Sequence, residues 1–186
     1  MKTILQVEDD PNDVFFLQKA FKKAGVQNPV QVATDGQEAI DYLQGADKFA
    51  DREQFPFPCL VLLDLKLPYV MGLEVLTWIR KTSGLAVPII MLTASAEEAD
   101  ITAAYRLGAN AFLCKPSEAS KLQEMVKAIK DFWLTHNTCS REALSESPME
   151  GVVSLGYSTT TDFGPKPPAV NGVRRHELAD AAEAIR

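Results

Sequence analysis

Five short apolar runs, each followed by a segment with helical periodicity, constrain the fold of this chain most strongly. The runs are Thr3–Val7, Val30–Ala33, Leu60–Leu63, Pro88–Leu92 and Ala111–Cys114. Strands that are apolar on both faces and alternate with helices are typical of a parallel sheet covered on both sides. We therefore expect an α/β fold, a doubly wound five-stranded parallel sheet with the flavodoxin-like strand order 2-1-3-4-5.

Capping signals set the expected helix boundaries. Pro11 suits a first helical position and Asp10 suits the cap before it. Asp35 can cap the second helix. Ser95 stands three residues before a glutamate, the spacing of a capping box, and Ser117 is expected to cap the last helix.

The composition changes after residue 136. The stretch "SREALSESPMEGVVSLGYSTTTDFGPKPPAVNG" is rich in Ser, Thr, Gly and Pro and has little periodicity, which predicts disorder. We expect a globular domain at 1–136 and a polar tail at 137–186, with a short amphipathic helix as an option at 174–186. Such a tail is too short for a typical DNA-binding module.

Charge and cysteine usage exclude several function classes. The formal net charge of −6 argues against nucleic acid as a direct ligand, because phosphate backbones require a basic face. The longest apolar run has the length of a strand, so no membrane span is expected, and the acidic start does not resemble a signal peptide. The chain has three cysteines, an odd number without CxxC spacing, which predicts a reducing cytoplasm rather than disulfides or zinc.

Four of the five strands should bring polar groups to one edge of the sheet, whereas the end of the second strand, near Thr34 and Asp35, should lie to the side. Glu8 and Asp9 follow the first strand, Asp64 the third, Thr93 the fourth and Lys115 the fifth. In a doubly wound sheet the carboxyl ends of the strands meet at one edge, where ligands bind. Two carboxylates 4 Å apart repel each other by roughly 4 kcal/mol at an effective dielectric near 20. The cluster therefore requires a cation, and hard oxygen ligands favour Mg²⁺.

This set of groups is suited to phosphoryl chemistry. A nucleophilic carboxylate, a divalent metal, an ammonium group and a hydroxyl group can together accept a phosphoryl group and neutralise its charge. The run "EDD" leaves two registers open for the acidic pair. We favour Glu8 and Asp9 in the site, with Asp10 as the helix cap. Taken alone, Asp64 could be a turn residue and Lys115 a solvated loop lysine.

Four motifs in this order resemble the receiver domain of two-component response regulators. They are "VEDD" at the first strand end, "LLDLKLP" with a glycine further on, "MLTAS" and "LCKP". The resemblance covers roughly residues 2–134. The "NDV" of the first helix, the long loop before the third strand and "DFWL" are similar to small regulators paired with bacteriophytochromes.

The resemblance implies a phosphoacceptor and a metal site. Asp64 would take a phosphoryl group from the phosphohistidine of a sensor histidine kinase. Glu8, Asp9 and Asp64 would bind Mg²⁺, and the backbone carbonyl of Lys66 would complete the protein ligands. The protein would then be no enzyme beyond its own phosphorylation and dephosphorylation.

The resemblance also implies a two-state switch. Lys115 and Thr93 would contact the phosphoryl group, and Phe112 would turn inward together with Thr93. Pro116 would follow a cis peptide bond. Output would be a protein contact, and the family often forms a homodimer through the fourth helix, fifth strand and fifth helix.

Three positions depart from the family pattern. Phe112 lacks the hydroxyl group of a tyrosine, and Met71 stands where the family often has aspartate. Lys66, two residues after Asp64, could reach over the phosphoryl group or pair with Glu8. We hypothesise that Lys66 tunes the lifetime of the phosphorylated state by limiting the access of water.

Two other functions are compatible with the same fold. A flavodoxin-like cofactor binder would require a phosphate loop rich in Ser, Thr and Gly after the first strand, where this chain has "EDDPND". A metal-dependent phosphohydrolase with an aspartyl nucleophile commonly has a second aspartate two residues on, where this chain has Lys66. Both features favour the switch.

Overall fold

A computed structural model describes residues 2–94 and 97–138. Five parallel strands form one sheet in the order β2-β1-β3-β4-β5. The strands are β1 (Thr3–Val7), β2 (Val30–Ala33), β3 (Pro58–Leu63), β4 (Ile89–Thr93) and β5 (Ala111–Cys114). The predicted fold class and strand order are confirmed.

A helix follows each strand. In the described part of the chain the five α-helices are α1 (Pro11–Lys23), α2 (Gly36–Gln44), α3 (Gly72–Thr77), α4 (Glu98–Leu107) and α5 (Ala119–Ile129). Helix α3 continues as a π-helical segment at Trp78–Thr82, and α5 continues as one at Lys130–His136. A 3₁₀ turn at Asp47–Phe49 lies in the long loop before β3.

The sheet separates two apolar layers, because successive side chains of a strand point to opposite faces. Ile4 packs in the layer that contains buried residues of α1 and α5, whereas Leu5 packs in the layer of α2, α3 and α4. Each fully buried Leu or Ile contributes about 1.5–3 kcal/mol relative to an exposed one. The alternation of strand and helix thus produces the doubly wound arrangement that both apolar strand faces require.

Two of the predicted helix caps are confirmed. The carboxylate of Asp10 accepts a hydrogen bond from the N–H of Asn12 at 2.8 Å, and that of Asp35 accepts one from the N–H of Glu38 at 2.7 Å. These bonds satisfy N–H groups that have no partner within the helix. The cap at Asp10 supports the register in which the site uses Glu8 and Asp9.

The predicted cap at Ser117 is wrong. Helix α5 begins one residue later than expected, because Glu118 still has extended backbone and occupies the cap position. The carboxylate of Glu118 accepts a hydrogen bond from the hydroxyl of Ser120, in the first turn. Ser95 lies outside the described residues, and Glu97 is the residue before α4.

The predicted tail lies beyond the described part of the chain, except for residues 137 and 138. The domain boundary at 136, the disorder of 137–186 and the helix at 174–186 therefore stay predictions. Within residues 2–94 and 97–138, every helix is too short or too polar to cross a membrane.

Candidate metal and phosphoacceptor site

Three carboxylates meet at the carboxyl edge of the sheet. One oxygen from each of Glu8, Asp9 and Asp64 lies within 4.8 Å of the others. Glu8 is 3% exposed and Asp64 7%, whereas Asp9 is exposed. The predicted convergence is confirmed. Three hard oxygen donors at this separation fit a divalent cation such as Mg²⁺ or Mn²⁺.

Strand pairing explains why these carboxylates meet. Val7 and Leu63 are partners in the parallel pair of β1 and β3. The residues that follow them, Glu8 and Asp64, are therefore neighbours, and the N–H of Asp64 donates to the carbonyl of Val7 at 3.0 Å. The central position of β1 and β3 in the sheet places this pair where the strand order reverses.

The Lys115 ammonium group lies among the carboxylates. Its Nζ donates to Oε2 of Glu8, to Oδ2 of Asp64 at 2.7 Å and to Oδ2 of Asp13 at 2.8 Å. The backbone of Lys115 is held by β4, because its N–H donates to the carbonyl of Thr93 at 2.7 Å. Lys115 thus supplies a fixed positive charge beside Asp64, as predicted from its place after β5.

Burial and charge shift two pKa values in this cluster. Burial raises the pKa of Glu8 to about 7, although the Lys115 ammonium opposes the shift. Burial lowers the pKa of Lys115, but hydrogen bonds to Asp13, Asp64 and Glu8 outweigh it and hold that pKa above its ordinary value. Lys115 therefore stays charged at neutral pH, and further positive charge at this cluster would lower the pKa of Glu8.

The turn after β3 fixes the Asp64 carboxylate. Its Oδ1 accepts hydrogen bonds from the N–H groups of Leu65 at 2.5 Å and Lys66 at 3.3 Å. Gly72 closes this turn, because its N–H donates to the carbonyl of Leu65 at 3.0 Å. A Cβ atom at position 72 would overlap the carbonyl oxygen of Asp64. Only glycine permits this close approach, so the glycine of the "LLDLKLP" motif shapes the site directly.

The remaining predicted residues occupy the neighbouring strand ends. Thr93 is buried at the end of β4. Phe112 in β5 is partly buried and packs against the layer of α2, α3 and α4, and its N–H donates to the Tyr105 hydroxyl at 3.3 Å. Lys66 is exposed on the turn after Asp64. The roles of Thr93, Phe112 and Lys66 in a switch stay predictions.

Two expectations about the neighbours of the site are corrected. Glu8 pairs with Lys115, which reaches it from β5, and not with Lys66 as considered above. The peptide bond before Pro116 is trans, as are the other peptide bonds of the described residues. The trans form is the more stable one for most bonds that precede proline.

Sequence reasoning missed Asp13. This residue lies in the first turn of α1, and its carboxylate contacts Lys115, which is 102 residues away in the chain. The available signal was its place in "EDDPND", at the start of a helix that leaves the edge of the site. Asp13, Phe16 and Lys115 also line a cavity of about 270 Å³ between α1 and the loop after β5.

Known proteins that are similar to this chain include response regulators. Residues 4–127 match the response regulator receiver domain. The response regulator Rcp1 of Synechocystis sp. is 37% identical over 134 residues, which cover 72% of this chain and 89% of that protein. The crystal structure of Mn²⁺-bound Rcp1 aligns with a TM-score of 0.68 and 35% identity, covering 75% of this chain and 99% of that chain.

Two further solved structures are similar. The phosphorylated cyanobacterial phytochrome response regulator RcpA has a TM-score of 0.67 and 36% identity, covering 74% of this chain and 96% of that chain. The bacteriophytochrome response regulator AtBRR has a TM-score of 0.58 and 40% identity, and the match covers 75% of this chain and 98% of that chain. None of these relatives supports a phosphohydrolase or a flavodoxin-like cofactor binder. The chain therefore belongs to the response regulator receiver domain family.

Proposed function

We propose that this protein is the phospho-accepting switch of a two-component relay and that Asp64 is its acceptor. In the transfer, a carboxylate oxygen of Asp64 forms a bond to phosphorus while the bond between phosphorus and a histidine nitrogen of the kinase breaks. The electron pair of the broken bond stays on the imidazole nitrogen. One observation carries the proposal: buried Asp64 lies beside two further carboxylates and 2.7 Å from a lysine ammonium group.

The residues around Asp64 fit a divalent ion. Glu8, Asp9 and Asp64 would hold it together with the backbone carbonyl of Lys66, and Mg²⁺ is the ion that we propose. When bound, the ion neutralises negative charge on the phosphoryl oxygens. The crystal structure of Mn²⁺-bound Rcp1 supports this proposal, because that relative binds a divalent ion.

Phosphorylation would change the partners of the site residues. Lys115 would exchange the Asp64 carboxylate for a phosphoryl oxygen, and the Thr93 hydroxyl would donate to another. Phe112 lacks the hydroxyl group of a tyrosine, so its inward position would be stabilised by packing without a hydrogen bond. One charge event would thereby bias two arrangements of β4, β5 and α4. The chain would show phosphorylation and dephosphorylation of itself and no turnover of other substrates.

Membership of the receiver family implies a histidine kinase partner. The names of RcpA and AtBRR support a phytochrome as that kinase.

We also propose a homodimer through α4, β5 and α5, which light scattering before and after phosphorylation would test. A location in the cytoplasm and the absence of nucleic acid ligands stay predictions from the composition.

Intact-mass measurement after incubation with Mg²⁺ and acetyl phosphate tests the function. We expect one added phosphoryl group on the native chain, none on Asp64→Asn, and none when EDTA removes the ion. Asp47→Asn is the matched control, because Asp47 is exposed and has a left-handed backbone (φ 49°) that asparagine also tolerates. An unmodified native chain, or multiple-turnover hydrolysis of phosphate esters, would contradict the proposal.

A further inference from the structure

The three carboxylates that contact Lys115 differ in what surrounds them. Glu8 and Asp64 belong to the cluster that fits a divalent ion, whereas Asp13 lies outside it. Asp13 comes from α1, and its side chain is 38% exposed, compared with 4% for Glu8 and 9% for Asp64. Lys115 therefore has two partners in the reacting cluster and one on an adjacent helix.

The helix holds Asp13 in a defined place. Asp10 caps α1 and Pro11 is its first residue, so the backbone of the first turn is rigid at the position that Asp13 occupies. The Lys115 Nζ lies 2.8 Å from Oδ2 of Asp13 and 2.7 Å from Oδ2 of Asp64. The ammonium group thus bridges the start of α1 and the end of β3.

The partners of Lys115 in the cluster must change during phosphoryl transfer. A divalent ion would compete with Lys115 for the oxygens of Glu8 and Asp64, and Asp64 would then gain the phosphoryl group. A lysine side chain has about 2 kcal/mol of rotamer entropy that must be lost to hold it in one place. Of the three carboxylates that contact Lys115, that of Asp13 would neither bind the ion nor carry the phosphoryl group.

We propose that Asp13 is a positioning residue, which holds the Lys115 ammonium group beside Asp64 while Glu8 and Asp64 exchange their own partners. This inference rests on the proposed function, because it concerns the same acceptor. It assigns Asp13 no contact with the phosphoryl group and no role as a metal ligand. Its effect acts through Lys115, on the rate at which Asp64 is phosphorylated.

Three variants separate positioning from charge. Asp13→Ala removes the anchor, whereas Asp13→Asn keeps an oxygen that can accept from Lys115 but removes the charge. Asp10→Asn is the matched control: it removes a nearby negative charge on the same helix turn and keeps a good cap, and the Asp10 carboxylate bonds Asn12 rather than Lys115.

The first measurement is the rate of phosphorylation with Mg²⁺ and acetyl phosphate, followed by intact mass. We expect Asp13→Ala to be about tenfold slower than the native chain, the factor that corresponds to about 1.4 kcal/mol, near the lower bound for a charge-assisted hydrogen bond. Asp13→Asn should stay within about threefold, and Asp10→Asn should match the native rate. Calorimetric titration should give similar Mg²⁺ affinities for Asp13→Asn and Asp10→Asn.

A second measurement needs no phosphoryl chemistry. In the metal-free protein, the ¹⁵N resonance of the Lys115 ammonium group should broaden in Asp13→Ala and stay sharp in Asp10→Asn. Equal rates for Asp13→Ala and Asp10→Asn, an Asp13→Asn rate as low as that of Asp13→Ala, or an unchanged Lys115 resonance would each overturn the inference. A native chain that accepts no phosphoryl group would overturn the proposed function, and the role of Asp13 in it.

Discussion

At the scale of single residues, the turn after β3 assigns different tasks to backbone and side chain. The Lys66 N–H donates to the Asp64 carboxylate, and the Lys66 side chain extends from an exposed position on the same turn. The backbone contact would be kept by any residue except proline. A change of the side chain at position 66 therefore leaves in place the backbone bond that holds the Asp64 carboxylate.

The side chain of Lys66 provides a prediction at this scale. Lys66→Ala should shorten the lifetime of phosphorylated Asp64 by up to about fivefold, since an exposed ion pair contributes up to about 1 kcal/mol. The decay of the phosphorylated mass after removal of the donor measures this. Lys22→Ala, another exposed lysine on a different element, is the control. An unchanged decay rate in Lys66→Ala would exclude the proposed shielding of the acceptor.

At the scale of elements, α3 approaches the end of β3 so closely that its first residue has no room for a side chain. Gly72→Ala should lower the free energy of unfolding by about 1–3 kcal/mol, because the added methyl group meets the Asp64 carbonyl. It should also slow the phosphorylation of Asp64. Denaturant unfolding and intact mass measure the two effects.

The control for Gly72 is a glycine without neighbours. Gly84 has nothing within 4 Å of an added Cβ, and its backbone is left-handed (φ 68°). Gly84→Ala should therefore cost about 1–2 kcal/mol from backbone strain while the phosphorylation rate stays native. Equal phosphorylation rates in Gly72→Ala and the native chain would show that the turn adapts to the methyl group.

The long loop between α2 and β3 is held by an aromatic cluster. The rings of Tyr42, Phe49 and Phe55 pack with centroids 5.1–6.2 Å apart. The Tyr42 hydroxyl donates to the carbonyl of Pro56 at 2.7 Å. This loop leads directly into β3, so its cluster anchors the strand that delivers Asp64.

The phenol of Tyr42 should make stability depend on alkaline pH. Burial raises the pKa of Tyr42 from 10.0 to about 12. Between these values the folded chain keeps a proton that the unfolded chain releases, so the free energy of unfolding falls as the pH rises, by up to about 1.4 kcal/mol per pH unit. Denaturant unfolding should be measured between about pH 9 and 12. The free energy of unfolding should fall less steeply with pH in Tyr42→Phe than in the native chain. Tyr69→Phe, at an 89% exposed position, should keep the native slope.

At the scale of the whole molecule, an ion bound at the acidic cluster would stabilise the fold. Glu8, Asp9 and Asp64 repel one another in the folded chain, and unfolding separates them. An ion that binds only the folded chain stabilises it by about 2.7 kcal/mol at a concentration 100 times its Kd. We therefore expect Mg²⁺ to raise the midpoint of unfolding at constant ionic strength.

The substitution Asp9→Asn tests this coupling. It should raise the stability of the metal-free chain, because one repelling charge is lost, and should reduce the gain on adding Mg²⁺. Asp131→Asn, at an exposed position on the segment after α5, should leave both values unchanged. A native chain with the same unfolding midpoint in Mg²⁺ and in Na⁺ would contradict a divalent site.

Local pattern alone predicted much of this fold and part of its site. Strand and helix periods are properties of neighbouring residues, and the carboxyl ends of parallel strands must share an edge. Glu8, Asp9, Asp64 and Lys115 could thus be assigned to one site before any contact was known. The caps at Asp10 and Asp35 were equally predictable, because a cap bonds groups two or three residues away.

Other features were decided only by tertiary structure. Gln6 is a polar residue inside β1, and it is 1% exposed because helices cover both faces of the sheet. Asp13 reaches Lys115 only because α1 and the loop after β5 pack side by side. The sequence determined which residues each strand carries to the edge. The packing of helices on the sheet, through contacts between residues about a hundred positions apart, decided which helix residues join them.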